Sequence, residues 1–256
     1  MANVDVDALE TKVKDMYRRV AEQPDGDYHF EMGRGLAARL GYPAQILDAI
    51  PAAAVESFAG VGYFLDLADL RPGERVLDLG SGSGMDSFAA AHLVGASGRV
   101  VGVDFTAEQL AKARRVAAAT DLAHVEFREG RIESAPVDDA GFDCVISNGV
   151  INLAPDKARV FAEAARVLRP GGRLAIADIV SERPLVDAIV TDPALWASCI
   201  GGAAQQDRYR QMIADAGLRV ELVRPNAYAF LTRQALDASA TYGVRSVSVL
   251  AVKPSG

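Results

Sequence analysis

Three glycines alternate with serines directly after a short apolar segment, and this run is the strongest chemical signal in the chain. Asp78 and Leu79 lead into Gly80, Gly82 and Gly84, and a helical pattern follows. Glycine allows a sharp turn and lets a ligand approach the bare backbone. A tight strand-to-helix turn is the simpler alternative, but alternating glycines at a strand's end seldom arise from packing alone. We predict that the three glycines bind a cofactor.

An acidic residue stands at the end of the next predicted strand. Asp104 lies 20 residues after Gly84, a separation at which a carboxylate can accept hydrogen bonds from both ribose hydroxyls of a nucleotide. An aspartate at a strand end can also serve as a helix N-cap, although Thr106 competes for that position here. We favour the ribose role for Asp104 and place the adjacent Phe105 in the same site.

The glycine spacing distinguishes between two cofactor classes. Dinucleotide sites use G-x-G-x-x-G, which brings a helix N-terminus to the pyrophosphate. The run here is G-x-G-x-G, and Met85 occupies the position of the third glycine. Asp78 would also lie awkwardly near a pyrophosphate. S-adenosylmethionine has no phosphate, and its sulfonium and ammonium groups favour a carboxylate environment. Spacing and charge therefore indicate S-adenosylmethionine, with Asp78 in its site, rather than NAD.

Short apolar runs and amphipathic segments alternate around these residues. The predicted strands are 75–79, 99–103, 124–128, 142–147, 173–180, 218–224 and 244–252, and the predicted helices are 85–94, 106–119, 156–168 and 206–216. Nearly continuous Val, Ile and Leu in the strands indicate a parallel sheet that is covered on both faces. The long connection between the last two strands predicts a helix or a covering loop. The fold class is therefore doubly wound α/β, Rossmann-like.

A helical segment at 1–70 precedes the α/β domain, which we place at 71–256. Apolar residues recur at three- and four-residue spacing over 6–20, which lines one face of a helix. Asp7 with Glu10 predicts a capping box at the start of that helix. We interpret this N-terminal extension as a lid and substrate segment.

Composition excludes several partners. The net charge is −7, with 27 basic and 34 acidic residues, and a nucleic-acid binder needs a concentrated positive face. No apolar run approaches the roughly 18 to 20 residues of a membrane-spanning helix. The first seven residues are acidic, whereas a signal peptide begins basic and then becomes apolar. We expect a small-molecule substrate, with neither nucleic acid nor membrane as partner, and homo-oligomerisation stays open.

Cys144 and Cys199 are the two cysteines of the chain. They do not make a disulfide framework, so a reducing, cytoplasmic setting is expected. Together with three scattered histidines they lack the spacing of metal ligands, and we predict no metal site. No G-x-S-x-G nucleophile motif is present. Transfer of the methyl group from the sulfonium of S-adenosylmethionine needs no protein nucleophile, because correct orientation of the acceptor can supply much of the catalysis.

The motifs resemble those of class I S-adenosylmethionine-dependent methyltransferases. Val76–Gly84 resembles their motif I, and Leu168–Gly172 resembles their turn into the fifth strand. The resemblance implies a mostly parallel seven-stranded sheet whose last strand is antiparallel. It also implies an adenine-contacting segment after the third strand, with Arg131 and Ile132, and a cofactor-lining position at Asn148.

A narrower resemblance, to arsenite methyltransferases, rests on Ile146–Lys157, on Asp192–Ala203 and on Ser57–Gly62. Trivalent arsenic favours thiolate ligands, and the family supplies them at three positions. Cys199 matches one of these positions, whereas Val61 and Gly149 stand at the other two. Cys144, within the fourth predicted strand, is expected to be a small buried hydrophobe.

Substrate contacts are signalled weakly. Trp196 and Cys199 stand three residues apart and would share a face on a helix, either above the site or as a core contact. Gly149 would leave room for a substrate, and Tyr17 lies on the predicted lid helix. Asp178 is a secondary candidate for a base. No catalytic residue is assigned.

Several functions stay open at this point. Methyl transfer to a small organic molecule, within specialised metabolism, is the leading hypothesis. The alternatives are methylation of arsenite or another metalloid with Cys199, a non-catalytic cofactor-binding protein on the same scaffold, and an NAD-dependent oxidoreductase, which Met85 disfavours.

Overall fold

A twisted sheet forms the centre of the computed structural model, which describes residues 4–255. Its strands are β1 (Arg75–Leu79), β2 (Arg99–Asp104), β3 (Val125–Glu129), β4 (Phe142–Asn148), β5 (Leu168–Ser181), β6 (Ala204–Gln205), β7 (Arg219–Pro225) and β8 (Arg245–Val252). The order is β3-β2-β1-β4-β5-β8-β7, with β6 paired to β5. All seven predicted strands are present, and the Rossmann-like α/β fold is confirmed.

The sheet is mixed, because one of its long strands runs antiparallel to its neighbours. β1 pairs in parallel with both β2 and β4, whereas β8 runs antiparallel between β5 and β7. Helices cover both faces, so the central strands are buried except at one terminal residue each, as the Val-rich and Leu-rich runs predicted. The eighth strand, β6, was not predicted, because a two-residue bridge leaves no periodic pattern.

Twelve α-helices are described around the sheet. They are α1 (Val6–Glu22), α2 (Gly33–Leu40), α3 (Ala44–Ala49), α4 (Ala52–Val55), α5 (Leu65–Ala68), α6 (Met85–Val94), α7 (Ala107–Ala118), α8 (Lys157–Val167), α9 (Asp187–Val190), α10 (Pro193–Ala197), α11 (Gln206–Asp215) and α12 (Arg233–Tyr242). The four predicted helices of the α/β region are confirmed as α6, α7, α8 and α11. The predicted helix in the long last connection is α12.

The amphipathic helix α1 packs against α7 and α10, on the side of the sheet that carries the N-terminal segment. Leu9, Val13 and Val20 are buried on its inner face. The predicted capping box is wrong. The N-cap is Asp5, whose carboxylate accepts a hydrogen bond of 3.0 Å from the amide of Ala8. The helix begins at Val6, as the apolar periodicity indicates, so Asp7 already lies inside the first turn.

None of the helices between residues 4 and 255 combines the length and the apolar content needed to cross a bilayer. Met1–Asn3, the start of the acidic N-terminal stretch, and Gly256 lie outside the described residues. The carboxyl ends of β1, β2 and β4 meet at one edge of the sheet, where parallel sheets bind their ligands.

Candidate functional site

The glycine loop between β1 and α6 adopts a conformation that only glycine takes readily. The φ angles are +79° at Gly80, +52° at Gly82 and +93° at Gly84. A Cβ atom at Gly80 would lie 2.5 Å from a methyl group of Val150, and one at Gly84 would lie 2.6 Å from the ring of Phe127. The loop therefore needs glycine both for its turns and for close approach.

The carboxylate of Asp104 holds this loop in place. One oxygen accepts a 2.9 Å hydrogen bond from the amide of Gly82, and the other accepts a 2.8 Å bond from the amide of Thr106. Thr106 is the N-cap of α7 but makes no side-chain capping bond. Burial raises the pKa of Asp104, and the bonds from Thr106 and Gly82 oppose that shift. Asp104 thus supports the start of α7 and also faces the cavity beside the loop.

That cavity gathers the predicted cofactor residues from four parts of the chain. Asp78, Gly80 and Gly82 line it from β1 and the glycine loop. Asp104 and Phe105 line it from the end of β2, and Arg131, Ile132 and Asn148 line it from the ends of β3 and β4. Gly84 is the exception, since it packs against Phe127 and Phe88 at the start of α6 and does not line the cavity.

Two buried carboxylates, those of Asp78 and Asp86, line this cavity and repel each other. Ser87 donates a 2.6 Å hydrogen bond to Asp78. Burial, and then the negative charge of Asp86, raise the pKa of Asp78 to about 8. Burial also raises the pKa of Asp86 to about 6, although bonds from Tyr42 and Asn148 lower it. A cation placed between the two carboxylates would relieve both their desolvation and their repulsion.

Sequence reasoning missed Asp86. The signal was available, because Asp86 follows Met85 in the first turn of α6, a helix whose neighbouring positions are almost all apolar or small. A carboxylate there is 6% exposed and must have a polar partner. Its partners are Tyr42, from the N-terminal segment, and Asn148.

Asn148, at the end of β4, connects the cofactor cavity to the 60–62 segment. Its side-chain oxygen accepts a 2.8 Å bond from the amide of Val61. Its side-chain nitrogen lies 3.0 Å from both the carbonyl oxygen of Gly62 and the carboxylate of Asp86. Asn148 therefore fixes the position of Val61 relative to the carboxylates.

Gly149 lies directly against Val61. Its φ of +72° is left-handed, and a Cβ atom built on it would lie 3.2 Å from a methyl group of Val61. Val61 is buried. The structure therefore brings together two positions that are 88 residues apart in the chain, although Gly149 itself does not line the cavity.

Of the four predicted substrate residues, one lines the cavity and three do not. Tyr17 lines the cavity from α1. Burial raises the pKa of Tyr17 well above its usual value, as does the neighbouring Cys199. Gly149, Trp196 and Cys199 do not line the cavity. The indole of Trp196 donates a 2.6 Å bond to the carbonyl of Val190, which favours a packing role for that side chain.

Trp196 and Cys199 do not share a helix face, and that prediction is wrong. α10 ends at Ala197, and Cys199 has a left-handed φ of +60°, so the helical spacing does not reach it. Both side chains are buried, and burial raises the pKa of the Cys199 thiol to about 12. Cys144 is fully buried in β4, as expected.

Asp178 does not reach the cavity, so its candidacy as a base is wrong. It is fully buried on β5, where it accepts a 2.6 Å bond from the hydroxyl of Tyr209 and a 2.7 Å bond from the side chain of Asn152. These bonds join β5 to α11 and to the turn after β4. Among residues 4–255, no cluster of three or more His, Cys, Asp and Glu side chains could hold a metal ion.

The cavity fits S-adenosylmethionine in three respects. The buried carboxylates of Asp78 and Asp86 suit a ligand that carries an ammonium and a sulfonium group. The glycine loop leaves bare backbone for close approach. The hydroxyl of Ser81, on the same wall, is buried without a partner within the described part of the chain, so it is left for a ligand to satisfy.

Comparison with known proteins also indicates a methyltransferase. A family model described as a methyltransferase domain matches residues 70–217. An arsenite methyltransferase from Halobacterium salinarum is 45% identical over 187 residues, which cover 73% of this chain and 48% of that protein. The chain thus spans about half the length of this curated relative.

Solved structures agree on the fold. An arsenic(III) S-adenosylmethionine methyltransferase from Chlamydomonas reinhardtii is 32% identical, with a TM-score of 0.65 over 88% of this chain and 74% of that one. A geranyl diphosphate methyltransferase, solved with its substrate and sinefungin, has a TM-score of 0.66 over 96% of this chain and 99% of that one, at 19% identity, and shows the fold alone. The chain belongs to the methyltransferase domain family, and its cofactor is S-adenosylmethionine.

Proposed function

We propose that this protein transfers a methyl group from S-adenosylmethionine to a small organic molecule. The observation that carries the proposal is the proximity of Val61 to Gly149, where a Cβ atom built on the glycine would lie 3.2 Å from a methyl group of Val61. These are the positions where the resemblance to arsenite methyltransferases calls for cysteine, and here they supply apolar surface and no sulfur. With Cys144 buried in the sheet, Cys199 is the one thiol left at the three positions that the resemblance implies. One thiolate cannot chelate trivalent arsenic.

The cofactor supplies the methyl group already activated as a sulfonium. The protein's part is therefore to bind, to orient and to exclude water. Asp78 and Asp86 would place negative charge beside the cationic groups of the cofactor, and the carboxylate of Asp104 would accept hydrogen bonds from its ribose. Asn148 holds the Val61–Gly62 backbone against this charged end by bonds of 2.8 and 3.0 Å.

Apolar groups surround the rest of the cavity. Tyr17, Phe58, Val150 and Leu153 line it, and such walls with a few fixed polar groups are typical of small-molecule sites. Tyr17 belongs to α1, which supports residues 1–70 as the lid and substrate segment and 71–256 as the methyltransferase domain. Asn148 and Tyr17 are the polar groups that would orient an acceptor.

The test is a methyl-transfer assay with labelled S-adenosylmethionine and the small-molecule fraction of the source cells. We expect label in an organic product, and no transfer by Asp78→Asn, which keeps the shape of the side chain but loses its charge. Asp121→Asn, at an exposed position, is the matched control. Label that appears only when arsenite and glutathione are added would contradict the proposal.

Arsenite is the second candidate, because Cys199 is retained and the Halobacterium relative is named an arsenite methyltransferase. Here the assay uses arsenite, glutathione and labelled cofactor with the unmodified protein, Cys199→Ser and Val61→Cys. Methylarsenic formation by the unmodified protein that is lost in Cys199→Ser would establish this candidate. Gly149→Cys is a poorer reconstruction than Val61→Cys, since a cysteine at a φ of +72° is strained.

A further inference from the structure

The charged contact between the N-terminal helix and the loop after β3 has no part in the function proposed above. Glu10 lies on α1, and Arg131 follows β3, 121 positions later in the chain. Two guanidinium nitrogens of Arg131 donate to the Glu10 carboxylate, one of them over 3.0 Å. Both side chains also line the cofactor cavity. This ion pair is therefore part of the cavity wall.

The position of the pair indicates which part of the cofactor it meets. Asp104, the proposed acceptor for the ribose hydroxyls, ends β2, and Arg131 follows the neighbouring strand β3. The base is bonded to the ribose, so it extends toward this end of the cavity. Phe105 and Ile132 present apolar surface there. An adenine between them would direct its polar edge, with the exocyclic amine, toward groups that accept hydrogen bonds.

We propose that Glu10, held by Arg131, accepts a hydrogen bond from the exocyclic amine of adenine, so that helix α1 helps the site to select an adenosyl cofactor. The hydrogen bond from Arg131 lowers the pKa of Glu10, which keeps the carboxylate ionised. An ionised carboxylate accepts and never donates, and its lone pairs are not exhausted by two bonds. It attracts the amine of adenine and repels the carbonyl oxygen of hypoxanthine at the same position.

Helix α1 is held firmly enough to aim Glu10. Gln109 donates a 2.8 Å bond to the carbonyl oxygen of Tyr17, and the same glutamine accepts a bond from Ser83 in the glycine loop. The ammonium of Lys14 lies 5.0 Å above the ring of Phe105. These contacts join α1 to both sides of the cofactor cavity, so the acceptor is positioned before a ligand arrives.

The other acid at this end is Glu133, which also lines the cavity. Its carboxylate lies 3.8 Å from the Nε atom of Arg131, beyond hydrogen-bond distance. It lacks the two-nitrogen contact that fixes Glu10. Glu133 is the natural competitor for the proposed role, and the experiment compares the two directly.

The test measures equilibrium binding of S-adenosylhomocysteine and S-inosylhomocysteine, which differ at position 6 of the base. The proteins are the unmodified chain, Glu10→Gln, Glu133→Gln and the control Asp15→Asn, whose carboxylate is on the exposed side of α1, paired with Arg18. We expect the unmodified protein to prefer the adenosyl ligand by about ten- to a hundredfold, the range of one charge-assisted bond. Glu10→Gln should reduce that preference to about threefold or less, because the amide can rotate and donate to a carbonyl oxygen. Asp15→Asn should keep it.

A full preference in folded Glu10→Gln would overturn the inference, as would a preference lost in Glu133→Gln alone. Circular dichroism checks that each variant is folded, and Arg131→Gln provides a second variant, in which adenosyl affinity should fall while α1 keeps its other anchors. The readout is ligand binding and does not depend on any methyl acceptor. Failure of the proposed organic substrate would therefore leave this result unchanged.

Discussion

Removing the carboxylate of Asp104 should affect the stability of the protein as well as its affinity for the cofactor. Its two oxygens accept bonds of 2.9 Å from Gly82 and 2.8 Å from Thr106, and the side chain is 8% exposed. In Asp104→Ala both backbone amides lose their acceptor. An unpaired buried donor costs about 1–3 kcal/mol, so two cost about 2–6 kcal/mol.

A second effect opposes that loss. Burial raises the pKa of Asp104, so the folded state bears a desolvation cost that the alanine variant no longer has. We therefore expect Asp104→Ala to lower the free energy of unfolding by about 2–3 kcal/mol, near the lower end of the range. Asp104→Asn keeps one acceptor oxygen and should lose about 1–2 kcal/mol. Domains of ordinary stability, about 5–15 kcal/mol, stay folded after such losses.

Urea denaturation measures the free energy of unfolding, and calorimetry with S-adenosylhomocysteine measures affinity. Affinity should fall about ten- to a hundredfold in Asp104→Ala, since the ribose acceptor and the anchor of Gly82 are lost together. The exposed Asp121→Ala is the control and should stay within about 0.5 kcal/mol of the unmodified protein. If Asp104→Ala matched that control in stability, the two backbone bonds would have no structural role. Unchanged affinity in a folded variant would remove Asp104 from the cofactor site.

Three other predictions follow from the same geometry. Burial raises the pKa of Asp78 to about 8, so the folded protein holds a proton that the unfolded chain releases near pH 4. The free energy of unfolding should therefore fall as pH rises from about 4 to about 8. Urea denaturation at several pH values should show a smaller fall with pH in Asp78→Asn, and an equal fall in both proteins would contradict the raised pKa. Gly80→Ala should abolish cofactor binding, because its Cβ would lie 2.5 Å from Val150, whereas Gly95→Ala, also at positive φ but with open space around it, should bind normally in calorimetry. Asp5→Ala should lower the free energy of unfolding by about 0.5–2 kcal/mol through loss of the α1 N-cap. An equal loss of stability in Asp7→Ala would contradict this and would favour the capping box predicted from sequence.

The residues that line the cofactor cavity from β1 and β2 could be predicted because each belongs to a short local sequence pattern. The glycine loop and Asp104 each follow a buried strand, and a single strand-turn-helix pattern specifies where they lie. The seven long strands were found for the same reason, since each has its own apolar run. Asp86 was missed although its place in an apolar helix marks it as buried, and its polar partners Tyr42 and Asn148 come from distant parts of the chain that no local pattern identifies.

Failures occurred where a residue's surroundings come from distant parts of the chain or from an irregular backbone. The spacing of Trp196 and Cys199 predicted a common helix face, but α10 ends first and the backbone turns left-handed at Cys199. Asp178 stands near the end of a strand, as a catalytic acid would, yet Tyr209 and Asn152 enclose it. One sequence cannot show which strand-end acids a later helix will cover.

The acceptor side is built from residues that only the tertiary fold brings together, which is why sequence alone specifies it least. Val61 precedes β1, and Gly149 follows β4, yet they touch because Asn148 binds the amide of Val61 while the amide of Gly149 donates to Ala177 on β5 over 2.8 Å. Neither anchor uses the side chain at 61 or 149, so both would persist with cysteine at position 61, whereas a cysteine at 149 would be strained by the φ of +72°. We therefore expect the side chain at position 61 to change while the cofactor loop, the paired carboxylates and the fold stay as they are. Such a change is compatible with 45% identity to an arsenite methyltransferase in a chain that has valine and glycine at two positions where the resemblance implies cysteine.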